Sequence, residues 1–179
     1  MMRIAKRLAA GQAGNSAVEM ALVTPLLLVL IFATFEAGYY FMSEHMVQKA
    51  VRDAARYGAR LPLVEPDGTQ NYNCGTTTIG TTTVNRIQKL ARTGTPTGTS
   101  SKRLAGWTAD NMTTVTLTCD ASTNSYVAKG VYKDFPNAGA VPVITVSAAV
   151  PYPMLFSAFG MGSGSLTLNA KSQAAVFGA

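Results

Sequence analysis

Gly14-Asn15-Ser16-Ala17-Val18-Glu19-Met20-Ala21-Leu22-Val23-Thr24-Pro25-Leu26-Leu27-Leu28 joins a glycine and a glutamate to the start of a long apolar run. Arg3, Lys6 and Arg7 precede it, and no acidic residue stands before Glu19. Residues 20–35 carry no charge, and up to Met42 only Glu36 does. A bilayer crossing takes about 20 mostly apolar residues, so residues 20–42 predict a membrane span. The basic start stays in the cytoplasm by the positive-inside bias, and Tyr39, Tyr40 and Phe41 suit the far interface. Everything after the span is then expected outside the cytoplasm. A secretory signal would be cut after the apolar run, at small residues. Here Glu36-Ala37-Gly38-Tyr39-Tyr40-Phe41-Met42 follows, a better continuation of a helix than a cleavage context.

Composition agrees with an anchored domain. The chain has 179 residues, room for one ordinary domain and a long N-terminal element. Hydrophobic residues make up 47%, concentrated in the span, whereas the remainder is rich in Thr, Gly and Ser. Half of the +6 net charge comes from Arg3, Lys6 and Arg7, so the basic balance is partly a topology signal. Arg86, Lys89, Arg92, Lys102 and Arg103 form only a thin basic set without interleaved aromatics, so no nucleic-acid partner is expected.

Catalytic chemistry has little to work with. His45 is the only histidine, and nothing near it in sequence would orient it as a base. No paired-cysteine, HExxH or P-loop pattern occurs. Gly160-Met161-Gly162-Ser163-Gly164 lacks the following helix that a phosphate site needs. Glu65, Asp67, Asp110, Asp120 and Asp134 are scattered, without calcium-ligand spacing. The expectation is no enzyme, no cofactor and no metal site.

Residues 16–60 predict one helix, about 68 Å long at 1.5 Å per residue. Pro25 cannot donate to Ala21, which predicts a kink there, and Leu61-Pro62 supplies the stop. In its outer half His45, Lys49, Arg52, Arg56 and Arg60 fall within about 80° of one another on a helical wheel. Tyr40, Val47, Ala50, Val51, Ala54 and Gly58 lie opposite. The pattern predicts a solvated basic face and a face packed on the domain. Contact of the basic face with anionic lipid or acidic neighbours is the functional alternative.

The rest predicts a small α+β domain. Residues 62–82 read as loop, and 85–92 as a short helix with Val84, Ile87, Leu90 and Ala91 at helical spacing. Residues 93–101 read as a flexible connection. Strands are expected at 114–119, 126–132, 141–150 and 165–177. Between the last two, the apolar tip at 152–161 is expected to form a short helix over the sheet or an exposed patch for a partner. Cys74 and Cys119 both follow the span; outside the cytoplasm they predict a disulfide worth roughly 4 kcal/mol. The alternative reading is two unrelated buried thiols. The fold class is α+β: a long N-terminal helix packed on a small antiparallel sheet.

Gly14-Asn15-Ser16-Ala17-Val18-Glu19 places a glutamate five residues after a glycine, with basic residues before and an apolar helix after. This resembles the prepilin peptidase site. The resemblance implies cleavage between Gly14 and Asn15, a new ammonium on Asn15, and Glu19 as the assembly charge that pairs with a neighbouring subunit. A charge in an apolar setting is tolerated when paired.

The run from Asn15 to Leu28 resembles the opening of TadE-like proteins, minor pilins or pseudopilins of the tight-adherence (Flp) pilus system. Ala50-Val51-Arg52-Asp53-Ala54-Ala55-Arg56-Tyr57-Gly58-Ala59-Arg60 is similar to the helix that follows in that family. Val146-Ser147-Ala148-Ala149-Val150-Pro151-Tyr152-Pro153-Met154-Leu155 and Leu166-Thr167-Leu168-Asn169-Ala170 extend the likeness. It implies a leader (1–14), a transmembrane segment (15–42), an amphipathic outer half of the helix (43–61) and an extracytoplasmic domain (62–179). It also implies an inner-membrane subunit of pilus assembly and cell adhesion, with inclusion in an extracellular pilus. The implied partners are a prepilin peptidase, other pilins and pseudopilins, the inner-membrane assembly platform and membrane lipids. An uncleaved single-pass binding protein and a type II secretion pseudopilin are the alternatives.

Overall fold

The computed structural model describes residues 12–120, 140–156 and 166–178. Helix α1 spans Gln12–Arg60 and is followed by a two-stranded hairpin, β1 (Tyr72–Asn73) and β2 (Thr78–Ile79). Helix α2 (Thr81–Thr93) and a short 3-10 turn (Asp110–Met112) lead into β3 (Thr113–Asp120), β4 (Val141–Pro151) and β5 (Thr167–Ala175). The chain divides into two compact units. One comprises Met1–Tyr40 with Met154–Gly162, the other Phe41–Pro153 with Ser163–Ala179.

In the first unit, α1 passes through Pro25 without interruption. The Thr24 hydroxyl donates to the Met20 carbonyl at 2.6 Å, and that of Thr34 to the Ile31 carbonyl at 2.7 Å. Polar groups on this apolar stretch are thus absorbed by the helix's own backbone.

In the second unit, the outer half of α1 has the two faces its periodicity predicts. Ser43, Val47, Ala50, Val51, Ala54, Ala55 and Ala59 are buried, while His45, Lys49, Arg52, Arg56 and Arg60 are exposed. Small residues bring this helix close to its neighbours. A Cβ on Gly58 would meet the Cδ1 atoms of Ile144 on β4 and Ile87 on α2.

Strand β4 is the centre of a three-stranded antiparallel sheet in the order β3-β4-β5. The register pairs Leu117 with Ile144, and Val146 with Ser172. Side chains alternate across a strand. Ile144, Val146, Ala148 and Val150 therefore face inward with Leu117 and Leu168, and all six are buried. The opposite face carries exposed Thr114, Thr116, Thr118, Asn169, Lys171 and Gln173. Ala59, Leu61, Tyr72, Leu117, Ile144 and Val176 form one core cluster, with Cys74 and Cys119 packed at its edge. Trp107 is fully buried as well.

The structure departs from the sequence reading in four places. Helix α2 starts at Thr81 rather than at 85, because Gly80 accepts the Val84 N–H and the Thr83 hydroxyl bonds to buried Asn71. Thr is a weak helix former, and this tertiary hydrogen bond offsets that. Residues 62–82 are not simple loop: Val64 bridges Gln70, and the β1–β2 hairpin follows. Residues 93–101 are held rather than free. Gly94 caps α2 in the left-handed region, and the Arg103 N–H returns to the Arg92 carbonyl. The last strand is shorter than 165–177. The strand expected at 126–132 lies outside the described residues.

Candidate functional site

The site is built along α1. Ser16–Arg60 contains a stretch long and apolar enough to cross a membrane, with mean hydropathy 2.3, and none of that stretch is buried. Leu22, Leu26 and Leu30 are 72%, 62% and 55% exposed. Apolar side chains this uncovered call for an apolar surrounding, and a helix satisfies its own backbone there.

Gly14 and Asn15 lie in the first turns of this helix. Glu19 is exposed one turn further on and lines a shallow groove with Ser16, Met20 and Val23. Its position puts a carboxylate at the head of the apolar stretch. Pro25 follows within the next two turns.

In the second unit Cys74 and Cys119 are bonded, with Cα atoms 5.7 Å apart and a sequence separation of 45. The bond ties the β1–β2 hairpin region to β3. Next to it, buried Asn71 uses its whole side chain. Its Nδ2 donates to the Pro62 carbonyl at 2.8 Å and to Glu65 Oε1 at 3.2 Å, and its Oδ1 accepts from Thr83. Glu65 also pairs with Arg86 at 2.8 Å. Burial and the nearby Tyr57 push the Tyr72 phenol well above its ordinary range, and the hydroxyl donates to the Gly58 carbonyl. The Thr69 backbone N–H and hydroxyl hold the Asp67 carboxyl below its usual range. These groups are absorbed in structure.

Met42, His45, Met46, Lys49 and Arg103 line an open groove on the basic face. Arg103 reaches Asp53 at 3.3 Å, and Arg92 reaches Asp110. Among the described residues no group of three or more His, Cys, Asp or Glu side chains converges as a metal site would require. Sequence reasoning missed Asn71, whose role depends on partners up to twelve residues away. It noted Glu36 as the charge within the span but not what that charge would meet.

The arrangement defines a class: α+β proteins led by one N-terminal helix long and apolar enough to span a membrane. Residues 14–56 match the family model described as TadE-like protein, so this part of the chain is similar to that family. The match points to a pilus-related, minor-pilin-like role. No curated protein and no solved structure matches the chain significantly.

Proposed function

We propose that the chain is a structural minor pilin or pseudopilin of a tight-adherence (Flp-type) pilus, and not an enzyme. Helix α1 holds it in the inner membrane with its domain outside the cytoplasm. A prepilin peptidase cuts after Gly14, and the assembly platform passes the mature subunit to other pilins for pilus assembly and surface adhesion. One observation carries this reading. The family match opens at Gly14, and Glu19 then stands exposed at the head of an uncovered apolar helix. Cutting there would give Asn15 an ammonium, and a neighbouring Glu19 would neutralise it where an unpaired charge is costly.

Shearing of cells expressing Glu19→Ala and Gly14→Leu variants tests it. Wild type should appear in the sheared fraction, Glu19→Ala should be processed but retained, and Gly14→Leu should stay uncut and in the membrane. Equal retention of all three in cells that build pili would sink the assembly role and leave a static single-pass protein.

A further inference from the structure

We propose that the β4–β5 tip at residues 154–156 is a second membrane-embedded element, seated among outer-leaflet acyl chains against α1. The proposal rests on the reading of α1 as a membrane span. Glu36 is the one charged residue between Met20 and Met42. The Leu155 backbone N–H donates to both of its carboxylate oxygens, at 3.3 Å and 3.2 Å. One helical turn earlier, the Phe32 ring lies 4.9 Å from that of Phe156, tilted by 44°. Phe32 and Glu36 are four residues apart and share a helix face. The tip therefore lies along a full turn of the apolar stretch.

That turn sets the depth. Glu36 lies about 9 Å and Phe32 about 15 Å along the helix before Met42, where the apolar segment ends. The hydrocarbon core is about 30 Å thick, so the tip falls within its outer half.

Two further observations favour lipid over water. Leu155 is 46% exposed, and Ile31 and Phe35, next in sequence to the Phe32 and Glu36 that the tip meets, are 47% and 63% exposed, so both the tip and this part of the helix present uncovered apolar side chains. Non-helical backbone at this depth must also have its N–H groups satisfied by protein. The Leu155 N–H meets that need through Glu36, and the same bond gives the Glu36 carboxylate a donor. Of the tip expected as a short helix over the sheet or an exposed patch, Leu155 and Phe156 form a turn, and residues 157–161 lie outside the described residues.

Depth-dependent quenching on the full chain in phospholipid nanodiscs tests this. Cys74 and Cys119 are bonded to each other, so an introduced cysteine is the one free thiol. An environment-sensitive fluorophore is placed at Leu155→Cys, at Met154→Cys as a second tip position, at Leu27→Cys on the span and at Thr116→Cys on the outer sheet face. The tip labels should be quenched by acyl-chain nitroxide lipids and shielded from aqueous iodide, as the Leu27→Cys label is, while the Thr116→Cys label shows the reverse. Iodide access at both tip positions with a lipid-quenched Leu27→Cys label would overturn the proposal and leave the span intact. Iodide access at Leu27→Cys would instead remove the span reading beneath it. Shielding of the tip labels from both quenchers would mean that a protein neighbour covers the tip, and would also overturn the proposal.

Discussion

Gly58 on α1 and Ile144 on β4 touch so closely that a Cβ on the glycine would lie 2.5 Å from the isoleucine Cδ1. Ile87 of α2 closes the same space, its Cδ1 2.8 Å from that position. Both isoleucines are fully buried and have little room to retreat. Helix α1, helix α2 and the sheet meet at a residue with no side chain.

Gly58→Ala should therefore destabilise the folded domain by about 1–3 kcal/mol, the usual cost of overpacking a filled core. Urea unfolding of the detergent-solubilised full chain reads this directly. Ile144→Val made in the Gly58→Ala background should recover part of the loss, because it removes the methyl group that is struck.

Asn71 joins three separated segments through Pro62, Glu65 and Thr83. Asn71→Leu takes the acceptor from the buried Thr83 hydroxyl, while Glu65 keeps its bond from Arg86, and should cost about 1–3 kcal/mol. Thr83→Val in the same chain should add less than it costs alone, since the two residues share a bond. Fully additive losses in a double-mutant cycle would contradict the coupling.

Reduction of the Cys74–Cys119 bond should lower stability by about 2–4 kcal/mol, with the size set by the loop that it closes in the unfolded chain. Cys74→Ser and Cys119→Ser should behave alike, and the double variant should be no worse than either. Thermal unfolding with and without reductant makes the comparison, and the three variants should no longer respond to reductant.

Tyr72 supplies a pH signature. Its phenol is held neutral by burial, so its folded-state pKa lies above the unfolded value of about 10. The folded state then binds the proton more tightly, and its stabilising contribution is complete below pH ~10. Stability should fall as pH rises above that value. Tyr72→Phe should cost about 0.5–1.5 kcal/mol at neutral pH through loss of the bond to Gly58, and should flatten the alkaline decline.

The parts of the fold legible in the sequence are those governed by a local period. Charge-free residues from Met20 to Phe35 give the apolar helix, and His45, Lys49, Arg52, Arg56 and Arg60 give its solvated face. Alternation over Thr114 to Cys119 and over residues 141–150 gives β3 and β4. What stayed hidden depends on contacts distant in sequence. The Thr-rich start of α2 reads as loop until Asn71 is placed beside Thr83. The tip's seat against Phe32 and Glu36 joins residues 119 or more positions apart, and no local pattern encodes it. At the candidate site, the Gly14 and Glu19 spacing is readable because it is a local pattern of six consecutive residues. The neighbours that would receive Glu19 are other chains.

Cleavage between Gly14 and Asn15 is the step on which the proposed role depends. Intact-mass and N-terminal peptide mass spectrometry of the protein extracted from membranes with an active prepilin peptidase reads this most directly. The expected chain starts at Asn15 and lacks residues 1–14. Protein that keeps Met1 to Gly14 in those membranes would contradict that cleavage.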